Sequence, residues 1–435
     1  MIGSWIRRTG FWALDALKGG TVRKHYNDIA LKLSEDYDGC DTKQLSALLE
    51  HAKNSTSFYR DLNKQKPLDR IGDFPIVTKA DYKEKYEEFQ SDLYLDKPLH
   101  QMSTSGSTGT PFTVNQDMNK RKRVLAEIIY FNEICGQKLG DKYIFFRVWT
   151  EKNKKSKLEQ FMQNLIPIDI LYQDDGSLEE IRQLLKRDKL INSALGYAST
   201  YEHLVNYIKS CGDDATDMFN TKILITGSEA MDMSVKHNVK DTLGCKIVDR
   251  YSNQENGIIA QTGDLSDEFT VNKASYYVEL LKLDSDEYAV DDGLGRIIVT
   301  DLYNFAMPMI RYDTGDIAVK REEGQDGIGK FKAIQGRRVD TIYDTKGNRL
   351  TPISICNYMW GYTKIKQYQF IQEDAKKYTL KVNGEEGIYT KDEFGRTLKE
   401  VLGPDAEIDI QFVGTIPVLS SGKFKKTVCK YNPKL

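Results

Sequence analysis

The sequence predicts an α/β fold, with a large N-terminal α/β domain of mostly parallel sheets and a small C-terminal α+β domain. Three observations support this prediction. The 435 residues exceed what one ordinary core requires. Between residues 120 and 256, apolar strand-like runs alternate with segments of helical period. Beyond Gly293 the residues favour strands.

The N-terminal segment MIGSWIRRTGFWALDALKGG is apolar, but Arg7, Arg8, Asp15 and Lys18 interrupt it. It is therefore too broken for a signal peptide or a membrane-spanning helix. Two interpretations stay open. The segment is either a helix docked on the protein's own core, which we favour, or an amphipathic helix at a membrane interface.

Strand-turn-helix units follow one another through the middle of the chain, which favours a largely parallel sheet with a site at the carboxyl ends of its strands. The strands are predicted at YIFFRVW from Tyr143, INSALGY from Ile191, KILITG from Lys222 and CKIVDRY from Cys245. Ser177 with Glu180, and Ser199 with Glu202, have capping-box spacing. They predict the first residues of two helices.

The strand-rich part contains GRIIVTDLYN and IRYDTGDIAVK, and about 100 residues of mixed strand and helix follow it. We place the domain boundary near Gly336. The chain is thereby divided into residues 1–335 and residues 336–435.

Charge is almost balanced, with 62 Lys and Arg against 64 Asp and Glu, so no overall field favours nucleic acid or an anionic membrane. The basic runs KRKR (120–123) and KNKK (152–155) are interpreted as a solvated helix face or loop. The six cysteines are scattered without a C-x-x-C pair, which predicts a reduced, cytoplasmic protein with buried thiols.

The run QMSTSGSTGTPFTV (101–114) is dominated by Ser, Thr and Gly. Gly106 and Gly109 frame Ser107 and Thr108, and such a loop offers amides and hydroxyls to a polyphosphate. No Lys follows the second glycine, so the run is not a Walker A loop. From this segment alone, an interdomain linker is as good an interpretation.

Four further segments carry polar groups at strand ends or turns. These are TGSEA (226–230), RYSNQEN (250–256), RYDTGD (311–316) and SSGKFKK (420–426). Each alone has a simpler explanation, namely a turn, a surface acid, a β-turn or a basic tail.

Taken together and in order, these segments resemble the adenylate-forming enzymes, in particular the phenylacetate-CoA ligase branch with its capsular-polysaccharide-associated CapK-like members. STSGSTGTP is similar to the family's phosphate loop, GSEA to its adenine-side turn and YSNQE to its aromatic-x-x-x-Glu motif. MPMIRYDTGD resembles the ribose motif, GRRVD the hinge, and IPVLSSGKFKK the catalytic-lysine motif. NSTSFYR (54–60) and DFPIVTKADY (73–82) also resemble segments of this branch, so the likeness covers nearly the whole chain.

The resemblance implies a large nucleotide- and acyl-binding domain and a small mobile domain. It implies ATP-dependent formation of an acyl-adenylate with release of pyrophosphate, then acyl transfer to CoA or to an amine, hydroxyl or carrier. Lys423 would neutralise charge between the attacking carboxylate and the α-phosphate, with Arg337 near ribose or phosphate. Thr108 and Glu255 would hold Mg²⁺. The residues implied to contact the nucleotide are Ser105, Gly106, Ser107, Thr108, Gly109, Gly227, Ser228, Glu229, Tyr251, Ser252 and Asp316.

Tyr197 and Ala198 lie where this branch places acyl-pocket residues, although core packing explains a tyrosine at a strand end equally well. Two residues depart from the family pattern. Phe112 stands where many relatives have Lys after the phosphate loop, and Val339 replaces the first Asp of the hinge motif, leaving Asp340. These departures leave the acceptor and the domain alternation open.

Two functions other than a ligase are also compatible with a nucleotide-binding fold. A catalytically silent protein would use the nucleotide fold for binding or scaffolding in a polysaccharide pathway. The presence of Glu255, Asp316 and Lys423 argues against it. A phosphotransferase would produce ADP, whereas a ligase produces AMP and pyrophosphate.

Overall fold

The computed structural model describes residues 2–34, 41–104, 112–147, 154–170, 175–213, 219–227, 233–263, 268–290, 293–320, 328–337, 342–347, 349–350, 365–384, 387–416 and 427–431, and the single residues 149, 231, 355, 359 and 362. The chain divides into two compact units, Met1–Ile334 and Gln335–Leu435.

Helices of the first unit lie mostly before its strands or between them. They are α1 (Ile2–Leu17), α2 (Thr21–Lys32), α3 (Thr42–Ser55), α4 (Ser57–Gln65), α5 (Lys79–Glu84), α6 (Met118–Cys135), α7 (Lys157–Gln163), α8 (Asp175–Arg187), α9 (Ala198–Ser210) and α10 (Met233–Leu243). Short 3₁₀ turns occupy Ile71–Asp73 and Asp92–Tyr94.

The strands begin with a separate antiparallel hairpin, β1 (His100–Thr104) and β2 (Phe112–Gln116). The others are β3 (Lys142–Arg147), β4 (Leu165–Asp169), β5 (Ile191–Gly196), β6 (Ile223–Gly227), β7 (Lys246–Asn253), β8 (Gly257–Thr262), β9 (Phe269–Val271), β10 (Tyr276–Leu281), β11 (Leu294–Asp301), β12 (Tyr312–Lys320) and β13 (Lys330–Arg337).

Within the described residues, eleven strands form one mixed sheet in the order β10-β11-β12-β13-β9-β8-β7-β6-β5-β3-β4. The run β4-β3-β5-β6-β7 is parallel. From β7 onward the pairs β7-β8, β8-β9, β13-β9, β10-β11 and β11-β12 are antiparallel. The α/β class is confirmed, and the parallel arrangement holds for the half with helical crossovers. The connections from β7 to β8 and from β8 to β9 are only a few residues long, and such short connections produce antiparallel neighbours.

The main core lies between the parallel strands and the helices α8, α9 and α10. Its members include Ile144, Phe146, Leu178, Ile181, Tyr201, Leu204, Val239 and Leu243. Leu178, Ile181 and Leu185 recur at spacings of three and four along α8, which places them on one helix face. This packing fixes the carboxyl ends of β5 and β6 against the helices that follow them, α9 and α10.

The predicted helix starts at Ser177 and Ser199 are wrong by one or two residues. Helix α8 already begins at Asp175, whose carboxylate suits the positive end of a helix. Helix α9 begins at Ala198 with Tyr197 as the N-cap, and the Tyr201 amide donates to the Tyr197 carbonyl oxygen over 3.2 Å. Ser177 and Ser199 therefore lie inside the first turns.

The interpretation of KRKR as a solvated face is wrong for half of the run. Lys120 and Arg123 are completely buried in α6. Lys120 pairs with Asp301 over 2.7 Å, and the Arg123 guanidinium donates to Asp28 over 2.5 Å and to the Ser275 hydroxyl over 2.9 Å. Buried acids supplied by distant segments make this burial tolerable. In the KNKK run, Lys154 is exposed and Lys155 half-buried, and the run's first two residues lie outside the described residues.

The second unit is an α+β structure. Its strands are β14 (Ile342–Tyr343), β15 (Arg349–Leu350), β16 (Ile365–Gln372), β17 (Lys377–Gly384), β18 (Glu407–Phe412) and β19 (Thr427–Cys429), and α11 covers Lys391–Leu402. In the described part, β18-β17-β16-β19 form a four-stranded sheet. Phe394, Leu398 and Leu402 of α11 are buried against it.

Buried thiols were predicted, and the outcome differs between positions. Cys135 and Cys245 are buried and unpaired, whereas Cys211 is an exposed free thiol and Cys429 is half-buried. Cys40 and Cys356 lie outside the described residues. Among the helices that the structure describes, none is long and apolar enough to cross a membrane.

Candidate active site

Three predicted positions lie side by side at the carboxyl edge of the parallel strands. Gly196 of β5 pairs with Thr226 of β6, and Gly227 of β6 pairs with Arg250 of β7. Because neighbouring parallel strands share one edge, Tyr197, Gly227 and Tyr251 come to that edge in adjacent rows. Tyr197 is half-buried and packs against the main core, and Ala198 is buried at the start of α9.

Tyr251 and Asp316 are in direct contact. The Tyr251 hydroxyl donates to Asp316 Oδ2 over 2.7 Å and lies 3.3 Å from the Thr314 hydroxyl. Burial and the neighbouring Asp316 carboxylate raise the pKa of Tyr251 well above its usual value, so the phenol stays protonated and donates. Three strands separate β7 from β12 in the sheet order. The sheet is therefore curved enough for their side chains to meet.

Glu255 is held by the same strand, β12. Its Oε1 accepts a hydrogen bond of 2.9 Å from the Tyr312 hydroxyl, and its side chain is buried. The Glu255 carbonyl oxygen accepts from Gln116 Nε2 over 2.8 Å, at the end of strand β2. Two tyrosine–carboxylate bonds thus join the YSNQE segment to the RYDTGD segment, each segment supplying one tyrosine and one carboxylate.

The YSNQE segment is also shaped by an irregular pairing of β7 with β8. Tyr251 pairs with Ala260, but the next residue, Ser252, pairs with Ile258, which leaves one extra residue on β8. Such bulges redirect side chains and are frequent near functional sites. Ser252 is half-buried at this irregularity.

The turn before Asp316 is fixed by local hydrogen bonds. Gly315 has a φ of 76°, a left-handed conformation that glycine adopts without strain. Its amide donates to Asp313 Oδ1 over 2.9 Å, and the Asp316 amide donates to the Thr314 hydroxyl over 3.2 Å. The D-T-G-D order therefore sets the direction of the Asp316 carboxylate.

Arg311, immediately before β12, has a positive φ of 49°. Its guanidinium binds Glu279 through two hydrogen bonds of 3.0 Å and donates to the Phe74 carbonyl oxygen over 3.1 Å. Both side chains are buried. This bidentate pair holds an uncommon backbone conformation in place.

The upstream segment DFPIVTKADY supports β12 directly. The Val77 amide donates to the Arg311 carbonyl oxygen over 3.1 Å, and the Asp313 amide donates to the Val77 carbonyl oxygen over 2.9 Å. The Tyr82 hydroxyl donates to the Pro308 carbonyl oxygen over 3.0 Å. Residues 73–82 therefore form part of the frame that positions Tyr312 and Asp316.

A site for a divalent cation would be built around one carboxylate. No cluster of three or more His, Cys, Asp or Glu side chains suited to a metal occurs within the described ranges. Mg²⁺ commonly uses one or two protein carboxylates and takes its other ligands from water and substrate phosphates. Glu255, held at Oε1 by Tyr312, fits that pattern.

Several predicted site residues lie outside the described residues. They are Ser105, Gly106, Ser107, Thr108, Gly109, Ser228, Glu229 and Lys423. Val339 and Asp340 of the hinge motif also lie outside them, as do the side chains of Phe112 and Arg337. Residues 105–111 connect β1 to β2, whose ends are paired at Thr104 and Phe112.

Tyr312, Arg311 and Glu279 were not singled out from the sequence, although they position the predicted residues. Tyr312 and Arg311 are the first residues of the RYDTGD motif, and their place in that motif was the available signal. Glu279 lies in the apolar run YYVELL. An acid in a fully buried strand requires a cationic partner. The sequence therefore predicts a buried ion pair at Glu279 but does not identify the cation.

The sequence is similar to a known domain family and to known proteins. Residues 342–430 match the family model of the CapK C-terminal domain. Over 424 residues the chain is 22% identical to Protein CapK of Staphylococcus aureus, with 92% of this chain and 91% of that protein covered. Residues 342–430 belong to the CapK C-terminal domain family, and the chain as a whole is similar to the CapK/phenylacetate-CoA ligase-like branch of the adenylate-forming ligase superfamily.

Other members of the superfamily extend this similarity. A phenylacetate-coenzyme A ligase of Escherichia coli (strain K12) is 20% identical, with 89% of this chain and 94% of that protein covered. The fold matches a crystal structure of 2-hydroxyisobutyryl-CoA ligase in the postadenylation state in complex with R3-HIB-AMP, with a TM-score of 0.69. The two sequences are 16% identical, and the match covers 90% of this chain and 89% of that chain. It also matches ATP-bound MatB from Rhodopseudomonas palustris, with a TM-score of 0.54, 15% identity, and coverage of 74% and 65%.

Proposed function

We propose that the chain is an ATP-dependent carboxylate-activating ligase, which forms an acyl-adenylate with release of pyrophosphate and then transfers the acyl group. The observation that carries the proposal is the pair of bonds that joins Tyr251 to Asp316 and Tyr312 to Glu255. These bonds bring together, at one edge of the sheet, the two motifs for which the family resemblance implies binding of adenine with metal and of ribose.

The roles of these residues follow from their chemistry. The Asp316 carboxylate accepts from ribose hydroxyls and from Tyr251, whose ring offers a face to adenine. Glu255 holds Mg²⁺ with Thr108. When bound, the cation neutralises charge on the phosphates. Ser105, Ser107 and the amides of Gly106 and Gly109 hold the polyphosphate, while Gly227, Ser228 and Glu229 line the adenine side.

Activation by adenylation solves a general chemical problem. A carboxylate is a poor electrophile because its oxygen is a poor leaving group, whereas AMP leaves readily when its charge is stabilised. In the adenylation step the carboxylate attacks the α-phosphate and pyrophosphate leaves, and Lys423 neutralises the charge that builds up between the carboxylate and the α-phosphate. Arg337 acts near ribose or phosphate. Because Lys423 belongs to the second unit, that unit has to reach the first during adenylation.

The molecule that accepts the acyl group is a separate part of the proposal. Phe112, which follows the phosphate loop, and Val339, in the hinge motif, depart from the pattern of many relatives. CoA, a sugar amine or hydroxyl in surface polysaccharide synthesis, and an acyl carrier are therefore all assayed as acceptors. The acid binds beside Tyr197 and Ala198, at the end of β5.

The test is identification of the nucleotide product. The protein is incubated with ATP, Mg²⁺ and a panel of aromatic, aliphatic and sugar acids, and nucleotides are separated by chromatography. The proposal predicts AMP and pyrophosphate with particular acids and neither product without them. ADP as the product would indicate a phosphotransferase. If the protein neither turned over ATP nor bound it with any acid, that result would support a catalytically silent scaffold protein.

A further inference from the structure

Helix α1 has an unusual distribution of side chains. Its charged residues, Arg7, Arg8 and Asp15, are buried or half-buried against the rest of the protein. Its exposed side chains are apolar or absent except for Thr9, over the part of α1 that the structure describes. The exposed residues are Gly3, Trp5, Ile6, Thr9, Gly10, Ala13, Leu14, Ala16 and Leu17. A surface helix normally shows the opposite arrangement.

The charged residues fasten α1 to its neighbours. Both Asp15 carboxylate oxygens accept hydrogen bonds from the first amides of α2, those of Val22 over 3.1 Å and Arg23 over 3.0 Å. Arg8 pairs with Glu133 of α6 over 3.2 Å. Arg7 donates to the Phe161 carbonyl oxygen of α7 over 2.9 Å. Phe11 and Trp12 also pack inward, against a core cluster that includes Val22 and Ile29. The helix is therefore held in one rotation about its axis, with the remaining large apolar side chains that the structure describes outward.

The exposed face contains large side chains. Trp5 is 66% exposed and Leu17 is 86% exposed, and Ile6 and Leu14 are exposed between them. Helix α7, which Arg7 connects to α1, exposes Leu158, Phe161 and Met162 as well. We call the outward side chains of α1 and α7 the apolar face. Exposed apolar side chains grouped in this way are typical of an interaction site.

Basic residues surround the apolar face. Residues 2–24 contain Arg7, Arg8, Lys18, Arg23 and Lys24 against Asp15 as the only acid, a net charge of +4, although the whole chain carries a formal charge of −2. Lys154 and Lys155 precede α7 and Lys157 is its first residue, against Glu159 as the one acid of that helix. An open groove of about 480 Å³ lies between Trp5, Thr9, Ala13 and Arg23, and the Arg23 guanidinium lies 3.6 Å from the centre of the Trp12 ring.

We propose that the apolar face binds the surface of an anionic lipid bilayer. Tryptophan and aliphatic side chains enter the boundary between headgroups and acyl chains, and the surrounding Lys and Arg side chains contact lipid phosphates. A second copy of the chain is a poorer occupant, because a twofold contact would bring two segments of charge +4 together. An anionic surface is attracted by the same charge. The inference does not depend on the proposed ligase activity.

The test is cosedimentation of the full chain with extruded vesicles. Vesicles of phosphatidylcholine mixed with phosphatidylglycerol are compared with vesicles of phosphatidylcholine alone. We expect binding to the anionic vesicles that weakens as salt rises, since screening reduces headgroup attraction. The double variant Ile6→Glu/Leu17→Glu should bind at least tenfold more weakly. The matched control, Leu190→Glu/Val290→Glu, changes two side chains of similar exposure elsewhere and should bind like the wild type.

Two further measurements keep the test decisive if the glutamate variant folds poorly. Lys18→Gln/Lys24→Gln should lose the preference for anionic vesicles. Trp5 fluorescence should shift to the blue on binding, and Trp5→Phe should remove that shift. Failure of the wild type to bind anionic vesicles would overturn the proposal. So would unchanged binding by Ile6→Glu/Leu17→Glu, or light scattering that shows a dimer which this variant abolishes.

Discussion

At the scale of single residues, Tyr251 has the clearest chemical role. Its hydroxyl donates to Asp316, and its raised pKa keeps it a donor throughout the neutral pH range. A carboxylate can accept several hydrogen bonds, so the bond from Tyr251 leaves Asp316 able to accept from ribose hydroxyls. We infer that Tyr251 fixes the orientation of Asp316 before nucleotide binds.

Tyr251→Phe should weaken ATP binding about tenfold, because a hydrogen bond to a charged group contributes about 1.5 kcal/mol at the lower end of its range. The phenyl ring remains, so adenine stacking is preserved. Titration of ATP binding measures the change. Tyr207→Phe is the control, since it removes a 3.1 Å bond from a tyrosine to Glu179 on another surface. Equal affinity of Tyr251→Phe and the wild type would contradict the assigned role.

The cysteines should react at very different rates. Burial raises the pKa of Cys245 to about 12, so its reactive thiolate is scarce at neutral pH, whereas Cys211 is exposed. Mass spectrometry after brief alkylation at neutral pH should find Cys211 modified and Cys245 intact. In denaturant both should react. Rapid modification of Cys245 in the folded protein would show that its surroundings are more open than the structure indicates.

At the scale of elements, strand β12 depends on the buried pair Arg311–Glu279. Arg311→Met leaves the Glu279 carboxylate without its guanidinium partner and should lower the free energy of unfolding by about 3–5 kcal/mol. Chemical denaturation measures this loss. The double variant Arg311→Met/Glu279→Leu removes both charges and should recover much of the stability. A double variant as unstable as the single one would mean that the pair's charges are not what stabilises β12.

The chain requires glycine at position 257, where the turn after Glu255 enters β8. Gly257 has a φ of 130°, and a Cβ there would lie 2.7 Å from both Glu127 Oε2 and the Tyr276 hydroxyl. Gly257→Ala should therefore cost about 2–4 kcal/mol of stability, from strain and overpacking. Gly329→Ala, where a Cβ meets open space, is the control and should change stability by less than about 1 kcal/mol. Equal thermal stability of the two variants would contradict this account of the turn.

The sequence predicted the parallel strands well because their apolar runs and following helices are local patterns. YIFFRVW, INSALGY, KILITG and CKIVDRY each overlap a strand of the sheet. The burial of Lys120 and Arg123 was not predictable in this way. Their partners Asp301, Asp28 and Ser275 come from distant parts of the chain, and local patterning cannot anticipate such pairs.

For the candidate site, the sequence predicted single residues but not the contacts between them. The motifs identified Tyr251, Glu255 and Asp316 one by one, while the contacts that join them depend on the curvature of the sheet and on Tyr312. Register across strands β5, β6 and β7 places Tyr197 and Gly227 at the same edge. The phosphate-loop residues, Arg337 and Lys423 stay predictions.

At the scale of the whole molecule, the proposal requires residues of both units for adenylation. Lys423→Ala should abolish acyl-adenylate formation while ATP still binds, because the ammonium acts on the developing charge and Tyr251, Glu255 and Asp316 remain. Nucleotide titration and product analysis separate the two effects. Lys426→Ala, a nearby charge removal in the same tail, is the control and should retain activity. Loss of binding together with activity would assign Lys423 to nucleotide affinity instead.

Exchange of labelled pyrophosphate into ATP tests the central claim most directly, because it reports reversible adenylation without any acceptor. The wild type should catalyse exchange only when a suitable carboxylic acid is present, and the Asp316→Ala and Lys423→Ala variants should not. Exchange that is independent of every acid, or undiminished in Lys423→Ala, would contradict the account.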